Sequence, residues 1–288
     1  MKNIHNRIAR ENKGYLFILP SFLGVIVFYV IPYLDVIRRA FTNVLSGKFV
    51  GLDNFKLVLQ NEAFRLAAWN TVRMMAVCIP LLVVLSLLIA VILQNHFKKN
   101  IWIKSGLLIP MAIPTAAVVL LWKILFDEQG FLNGFLQLLG INGPDWMNTG
   151  NAFGVLVFSC IWKNLGYSVI LWTAALDSIP KEIYEAAKTD GAGETACFFW
   201  ITLPNLFSAF FTIVVLSLIN SFKVYREAYL IAGDYPHESI YMLQHLFNNW
   251  YRNLDLDKMA SGAVLNGAAL FILVLFLWRL WGNKERDV

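Results

Sequence analysis

Residues 71–93 read TVRMMAVCIPLLVVLSLLIAVIL, and Arg73 is the only charged side chain among them. A run of this length and polarity matches the roughly 20 apolar residues a helix needs to cross hydrocarbon, where backbone polar groups must be satisfied within the segment. It is continuous rather than alternating, which distinguishes it from a barrel strand. Working outward from Thr71 to Leu93, five more such runs occur: Tyr15 to Ile37, Ser105 to Phe126, Ala152 to Leu176, Leu206 to Ala232 and Met259 to Trp281. The whole chain is 58% hydrophobic and 15% charged, against roughly 25% charged in soluble domains. The expected fold class is an all-α membrane protein with six transmembrane helices, surrounded by lipid.

The first run follows a basic stretch holding Lys2, Arg7, Arg10 and Lys13. It is too long for the apolar part of a secretion signal and lacks a small-residue cleavage site, so it reads as a retained span. Counting Lys and Arg places both termini inside: segments 1–14, 95–104, 177–200 and 282–288 carry 11, and the outer segments 40–69, 127–151 and 233–258 carry 5. Arg38 and Arg39 run against this bias. Cys78, Cys160 and Cys197 read as small buried hydrophobes rather than a disulfide framework. The net charge of +5 comes largely from the inner flanks, which is what topology requires, and gives no reason to expect nucleic acid as a partner.

Between the spans, segment 51–69 has apolar residues at helical spacing and predicts short amphipathic helices at the outer surface. Segment 127–151 predicts turns around a short apolar helix, with Gly130, Gly140, Gly143 and Pro144 as punctuation. This loop and 233–258 are acidic and aromatic, as suits either a docking face or a solvated rim.

Enzymatic motifs are absent. Gly47-Lys48 lacks the upstream glycine and the following Ser or Thr of a phosphate-binding loop, and the four histidines make no H-E-x-x-H pattern. No catalytic residue, metal site or cofactor is expected.

One loop breaks the apolar pattern: residues 183–206, IYEAAKTDGAGETACFFWITLPNL. Pro180 suits the start of a helix, and Glu182 and Glu185 put negative charge near its first turn. Gly191, after Asp190, predicts a sharp turn, with a second short helix running to Ile201-Thr202-Leu203-Pro204. The expected product is a helix–turn–helix whose alanines let another surface approach; a solvated connection between spans is the plainer reading.

Glu185, Ala186, Ala187, Gly191, Ile201, Leu203 and Pro204 fit the spacing E-A-A, three residues, Gly, nine residues, Ile-x-Leu-Pro. This resembles the EAA motif of permease subunits of binding-protein-dependent ABC importers. The likeness extends over nearly the whole chain, through FVGLDNF at 49–55, NTV at 70–72, LIPMAIPTAAVVLLWKILF at 108–126, IWKNLGYS at 161–168 and NSFKVY at 220–225. It is similar to the carbohydrate-uptake branch, of the MalF/UgpA kind. The resemblance implies a type I importer (MetI-like) transmembrane domain over 15–281, a coupling loop at 177–204, and cytoplasmic segments 1–14 and 282–288. It further implies a bacterial inner-membrane location and, as partners, a second permease, a cytoplasmic ABC ATPase dimer and an extracellular or periplasmic solute-binding protein, with a sugar-like solute. Glu185 would then contact the ATPase, Ala186 and Ala187 would form the close-packed face, and Gly191 would make the turn.

Ionisable residues inside spans are functional candidates. Asn220, Ser221, Lys223 and Tyr225 form the candidate translocation path, with an interhelical polar lock as the alternative. Lys223 and Glu227, four apart, are expected to pair on one helical face. Lys123 and Lys163 are expected to snorkel from span ends. Trp122, Trp162 and Trp172 suit core or interfacial packing better than sugar stacking, and Pro80, Pro110 and Pro114 are candidate kinks.

Overall fold

The computed structural model describes residues 17–44, 46–97 and 100–284, with side chains through 279. The basic residues Lys2, Arg7, Arg10 and Lys13, the inner-loop Lys98 and Lys99, and the terminal residues 285–288 lie outside the described residues. Among the described residues the secondary structure is helical apart from one isolated bridge between Thr42 and Phe49. The elements are α1 (Phe17–Ala40), α2 (Asp53–Gln60), α3 (Glu62–His96), α4 (Ile101–Ala112), α5 (Thr115–Phe126), α6 (Phe131–Leu138), α7 (Ala152–Ser178), α8 (Lys181–Thr189), α9 (Glu194–Cys197), α10 (Phe207–Ala232), α11 (Leu243–Arg252) and α12 (Leu256–Lys284). Five of these are long and apolar enough to cross a membrane, and the count reaches six when α4 and the bent α5–α6 stretch are taken together as one span. The expected all-helical membrane fold is thus present.

The third run departs from the expected single helix. α4 and the α5–α6 stretch meet at a bend of 91°. Pro114 has no N–H to give to a helix, and its ring drives Ile113 into extended backbone at ψ 129°. Pro80 and Pro110 stay inside α3 and α4. Two other prolines, Pro32 and Pro204, each follow a π-turn, Ile26–Val30 and Phe198–Thr202. The wider turn moves away the carbonyl that the proline ring would strike.

The described residues form two compact units, those up to 61 with 249–271 and 62–248 with those from 272 on. In the first, Ala40, Phe55 and Ala260 form a small core. The Asn54 amide donates to the carbonyls of Ala40 and Thr42, both at 3.1 Å, and the Ser261 hydroxyl also donates to Ala40. Arg38 and Arg39 both bond to Asp35, at 2.8 and 2.6 Å, so one of the two positive charges is balanced within its own helix.

In the second unit α7 is central. Val83, Ala90 and Leu93 of α3 pack with Val169 and Trp172 of α7 and Ile213 of α10. Nearer the start of α7, Met74 and Cys78 meet Leu156 and Cys160. Trp122 and Trp172 are buried and donate to Ser159 and Ser86, at 2.8 and 3.0 Å; Trp162 packs edge-on against Trp122. Their role is packing, as expected. Gly166 lets α7 touch α4, since a Cβ there would overlap the carbonyl oxygen of Leu107.

The 233–248 stretch is fastened from α3. The Asn70 amide donates to the carbonyls of Glu238 and Tyr241, and the Thr71 hydroxyl accepts from the N–H of Leu243. His245 is fully buried; its Nδ1 accepts from the N–H of Met242 at 3.1 Å, which leaves the proton on Nε2. Burial pushes its pKa down to about 4. Between that value and the usual 6.5 an unfolded chain binds a proton that the folded one refuses. Stability linked to His245 is therefore whole above about pH 6.5 and falls as pH drops toward 4. The melting temperature of the purified protein should decline across that window, and His245→Asn should flatten the decline.

Candidate functional site

The loop expected at 177–204 folds as two helices and a turn. Pro180 caps α8 in extended conformation (ψ 136°), Glu182 lies in the first turn and Lys188 in the last, both suited to the helix dipole. At the other end Gly191 has φ +84°, a region that L side chains resist. The N–H of Ala192 bonds to the carbonyl of Ala187 at 2.9 Å and that of Gly191 to Lys188 at 3.1 Å. This double closure is a Schellman cap, and it satisfies the last carbonyls of α8.

Helical spacing divides α8 into two faces. Lys181, Tyr184 and Lys188 line a cleft of about 880 Å3, which Gln94 and His96 of α3 and Asp177 of α7 also border. On the opposite side Glu182, Ile183, Ala186 and Asp190 are exposed, flanked by exposed Glu185 and half-buried Ala187. No residue of α8 is buried. The loop is nonetheless anchored: the Tyr184 and Thr202 hydroxyls lie 2.9 Å apart, tying α8 to the base of α10, and the Gln94 amide donates to Asp177 at 2.8 Å across the ends of α3 and α7. Ile201, Leu203 and Pro204 stand at that base, away from the face carrying Glu182 and Ala186. Of this part of the pattern, Ile201 is half-buried, while Leu203 and Pro204 are exposed.

The polar cluster of α10 divides. Asn220 and Lys223 line a pocket of about 180 Å3 together with Thr115, Lys163, Arg226 and Glu227. Ser221 is buried and donates to its own helix at Leu218, and Tyr225 packs against Tyr229 and His245, with ring centroids 5.6 and 4.7 Å away. Neither lines the pocket. The expected Lys223–Glu227 pair is replaced by two other contacts. Lys223 donates to Asn220 at 2.8 Å, and Glu227 receives Lys163 at 2.9 Å. Lys163 does not snorkel: it sits near the middle of α7, largely buried, and donates also to Thr115 at 2.7 Å. Ionisable groups inside spans pair with one another rather than stand alone, which is why pairing prevails there. Sequence spacing along α10 could not identify a partner on α7, though the central position of Lys163 was a visible signal.

Several aspartates of the two acidic loops make local contacts. Asp145 accepts from the backbone and side chain of Asn148, which hold its carboxyl below the usual range, and Asp234 accepts from Asn248. Asp257 caps the N–H of Val44, and Asp255 pairs with Lys258.

The profile of the family described as "Binding-protein-dependent transport system inner membrane component" matches residues 83–282. The trehalose/maltose transport system permease protein MalF of Thermococcus litoralis is 31% identical over 92% of this chain and 91% of its own. The arabinooligosaccharides permease protein AraP of Bacillus subtilis is 32% identical, with 93% and 86% covered. The sn-glycerol-3-phosphate permease protein UgpA of Escherichia coli is 26% identical, with 94% and 95% covered. A chain from a bacterial ABC transporter that imports the acidic polysaccharide alginate superposes with TM-score 0.85 over 99% of both chains at 21% identity, which speaks for the fold. A chain from the same kind of transporter, in complex with its pentasaccharide-bound periplasmic protein, gives 0.81 over 94% of both at 22% identity.

Proposed function

This chain belongs to the family of binding-protein-dependent inner-membrane transport components, and from that premise we propose how it works as a permease subunit for sugar uptake. It is a multi-pass membrane protein and a transport subunit rather than an enzyme. It forms half of the transmembrane pathway for a sugar or sugar-like solute, delivered by an extracellular or periplasmic binding protein. A second permease supplies the other half, and a cytoplasmic ABC ATPase dimer hydrolyses the ATP. Both termini and the 177–204 loop face the cytoplasm.

The observation that carries the coupling is α8 itself: a rigidly capped helix with no buried residue, joined by Tyr184 and Thr202 to the foot of a span. Its exposed face, with Glu182, Ala186 and Asp190 flanked by Glu185, seats in the ATPase. ATP binding draws the ATPases together and carries α8 with them. From Leu206, α10 runs about 30 Å to the Lys163–Glu227 pair at 1.5 Å per residue. The pair links α10 to α7, and Thr115 extends the link to α5, so movement at the foot of α10 reaches the polar pocket. Rocking of this kind biases inward and outward states only through ligands that bind the two differently.

Mild-detergent purification from native membranes, followed by mass spectrometry of the co-purifying chains, tests this. The expected result is an ATPase and a second permease, with the ATPase lost when Glu185→Lys is combined with Ala186→Asp. A chain that purifies alone and moves solute into vesicles without ATP would make it a carrier.

A further inference from the structure

The pocket between α5, α7 and α10 carries more than a structural lock. Glu227 is 5% exposed, and its Oε1 accepts from Lys163, while its Oε2 is buried with no hydrogen-bond partner. Leaving such an oxygen unpaired is costly, and a hydroxyl donor repays that cost. Three cations, Lys163, Lys223 and Arg226, line the same pocket with Glu227 as its one carboxylate. Lys163 is committed to Glu227, and Lys223 reaches only the neutral Asn220 oxygen. Two positive charges among apolar spans call for an anion from elsewhere. The volume, about 180 Å3, equals about six waters and admits one sugar ring.

We propose that this pocket holds one ring of an acidic sugar: a ring hydroxyl donates to Glu227 Oε2, and the sugar's carboxylate or phosphate meets Lys223 and Arg226. The proposal rests on the permease reading and narrows its solute to an anionic one. Glu227 is then a solute contact as well as the partner of Lys163. Asn164 and Asn220 on the pocket wall offer further polar atoms to hydroxyls.

Three probes share one ring and differ in charge: galactose, galacturonate and galactose 6-phosphate. Equilibrium binding of each to the purified transporter complex in nanodiscs decides the matter. At least one charged probe should bind about tenfold more tightly than galactose, the size of one charge-assisted hydrogen bond; which of them does so separates carboxylate from phosphate. K223M and R226M, both at exposed side chains, should each cut the preference for the charged probe over galactose by about that factor, with the melting temperature held. E227Q should weaken all three. Equal binding of the three probes, binding of none, or indifference of the charged probe to K223M and R226M would overturn the proposal. So would dissociation of the second permease from K223M or R226M without any change in probe binding, since the cations would then serve a partner carboxylate. Failure of the complex to assemble with wild-type chain is a separate result and counts against the permease reading itself.

Discussion

Gly166→Ala should prevent most of the chain from reaching its native packing. The added methyl would overlap a backbone atom, the carbonyl oxygen of Leu107, and a backbone atom cannot turn aside as a flexible side chain can. α4 would have to move bodily from α7. Overpacking of a well-filled site costs about 1–3 kcal/mol, and the upper end applies where backbone blocks relief. Gly154→Ala in the same helix supplies the control, because nothing lies within 4 Å of its Cβ position. Size-exclusion profiles of detergent extracts after graded heating should show Gly154→Ala melting like wild type, with Gly166→Ala aggregated at temperatures the wild type survives. Equal melting of the two would mean that α4 is not seated against α7 as described. The consequence reaches the pocket, since Lys163 sits one turn from Gly166 and Thr115 follows directly on the α4 break.

What the sequence disclosed and what it withheld follow from the range of each interaction. The apolar runs and the turn at Asp190-Gly191 are local properties, written in neighbouring residues, and the structure follows them closely. The break at Pro114 was legible as a kink but not as a 91° bend, because its size depends on what α4 and α5 pack against. The polar cluster of α10 was legible in composition and misread in partnership. Lys223 and Glu227 are one turn apart, so sequence spacing favours their union; Lys163, 64 residues from Glu227, reaches it only once α7 and α10 lie side by side. Ser221 and Tyr225 lie outside the pocket that Asn220 and Lys223 line, because rotation about the helix, which spacing along the chain does not fix, decides where each side chain points. The Asn70 clamp on the 238–241 loop likewise depends on folding, although Asn70 and Thr71 sit in the NTV string that was visible at once.

Replacement of Gly191 by proline should abolish solute uptake, by about a hundredfold or more, while leaving the chain in the membrane. Proline fixes φ near −65°, and the residue here stands at +84°. The substitution also removes the N–H that bonds to Lys188, so both halves of the cap are lost and α8 must end differently. Because α8 buries no residue, its unravelling leaves the helix packing of the spans largely untouched. What is lost is the rigidity that carries ATPase motion into Tyr184, Thr202 and α10. A graded series makes the cause visible. Gly191→Asn tolerates the left-handed region and should keep much of the uptake, Gly191→Ala should keep less, and proline almost none. Gly193→Ala, at φ −74° with open space around it, should behave as wild type. The decisive reading is the ratio of ATP hydrolysed to solute moved in proteoliposomes containing the whole transporter. If the ratio rises along the series in step with the φ penalty, the conformation of this one residue sets the coupling. A proline variant that transports at the wild-type ratio would show that force enters the spans by another route, and α8 would then be a solvated connection between two helices.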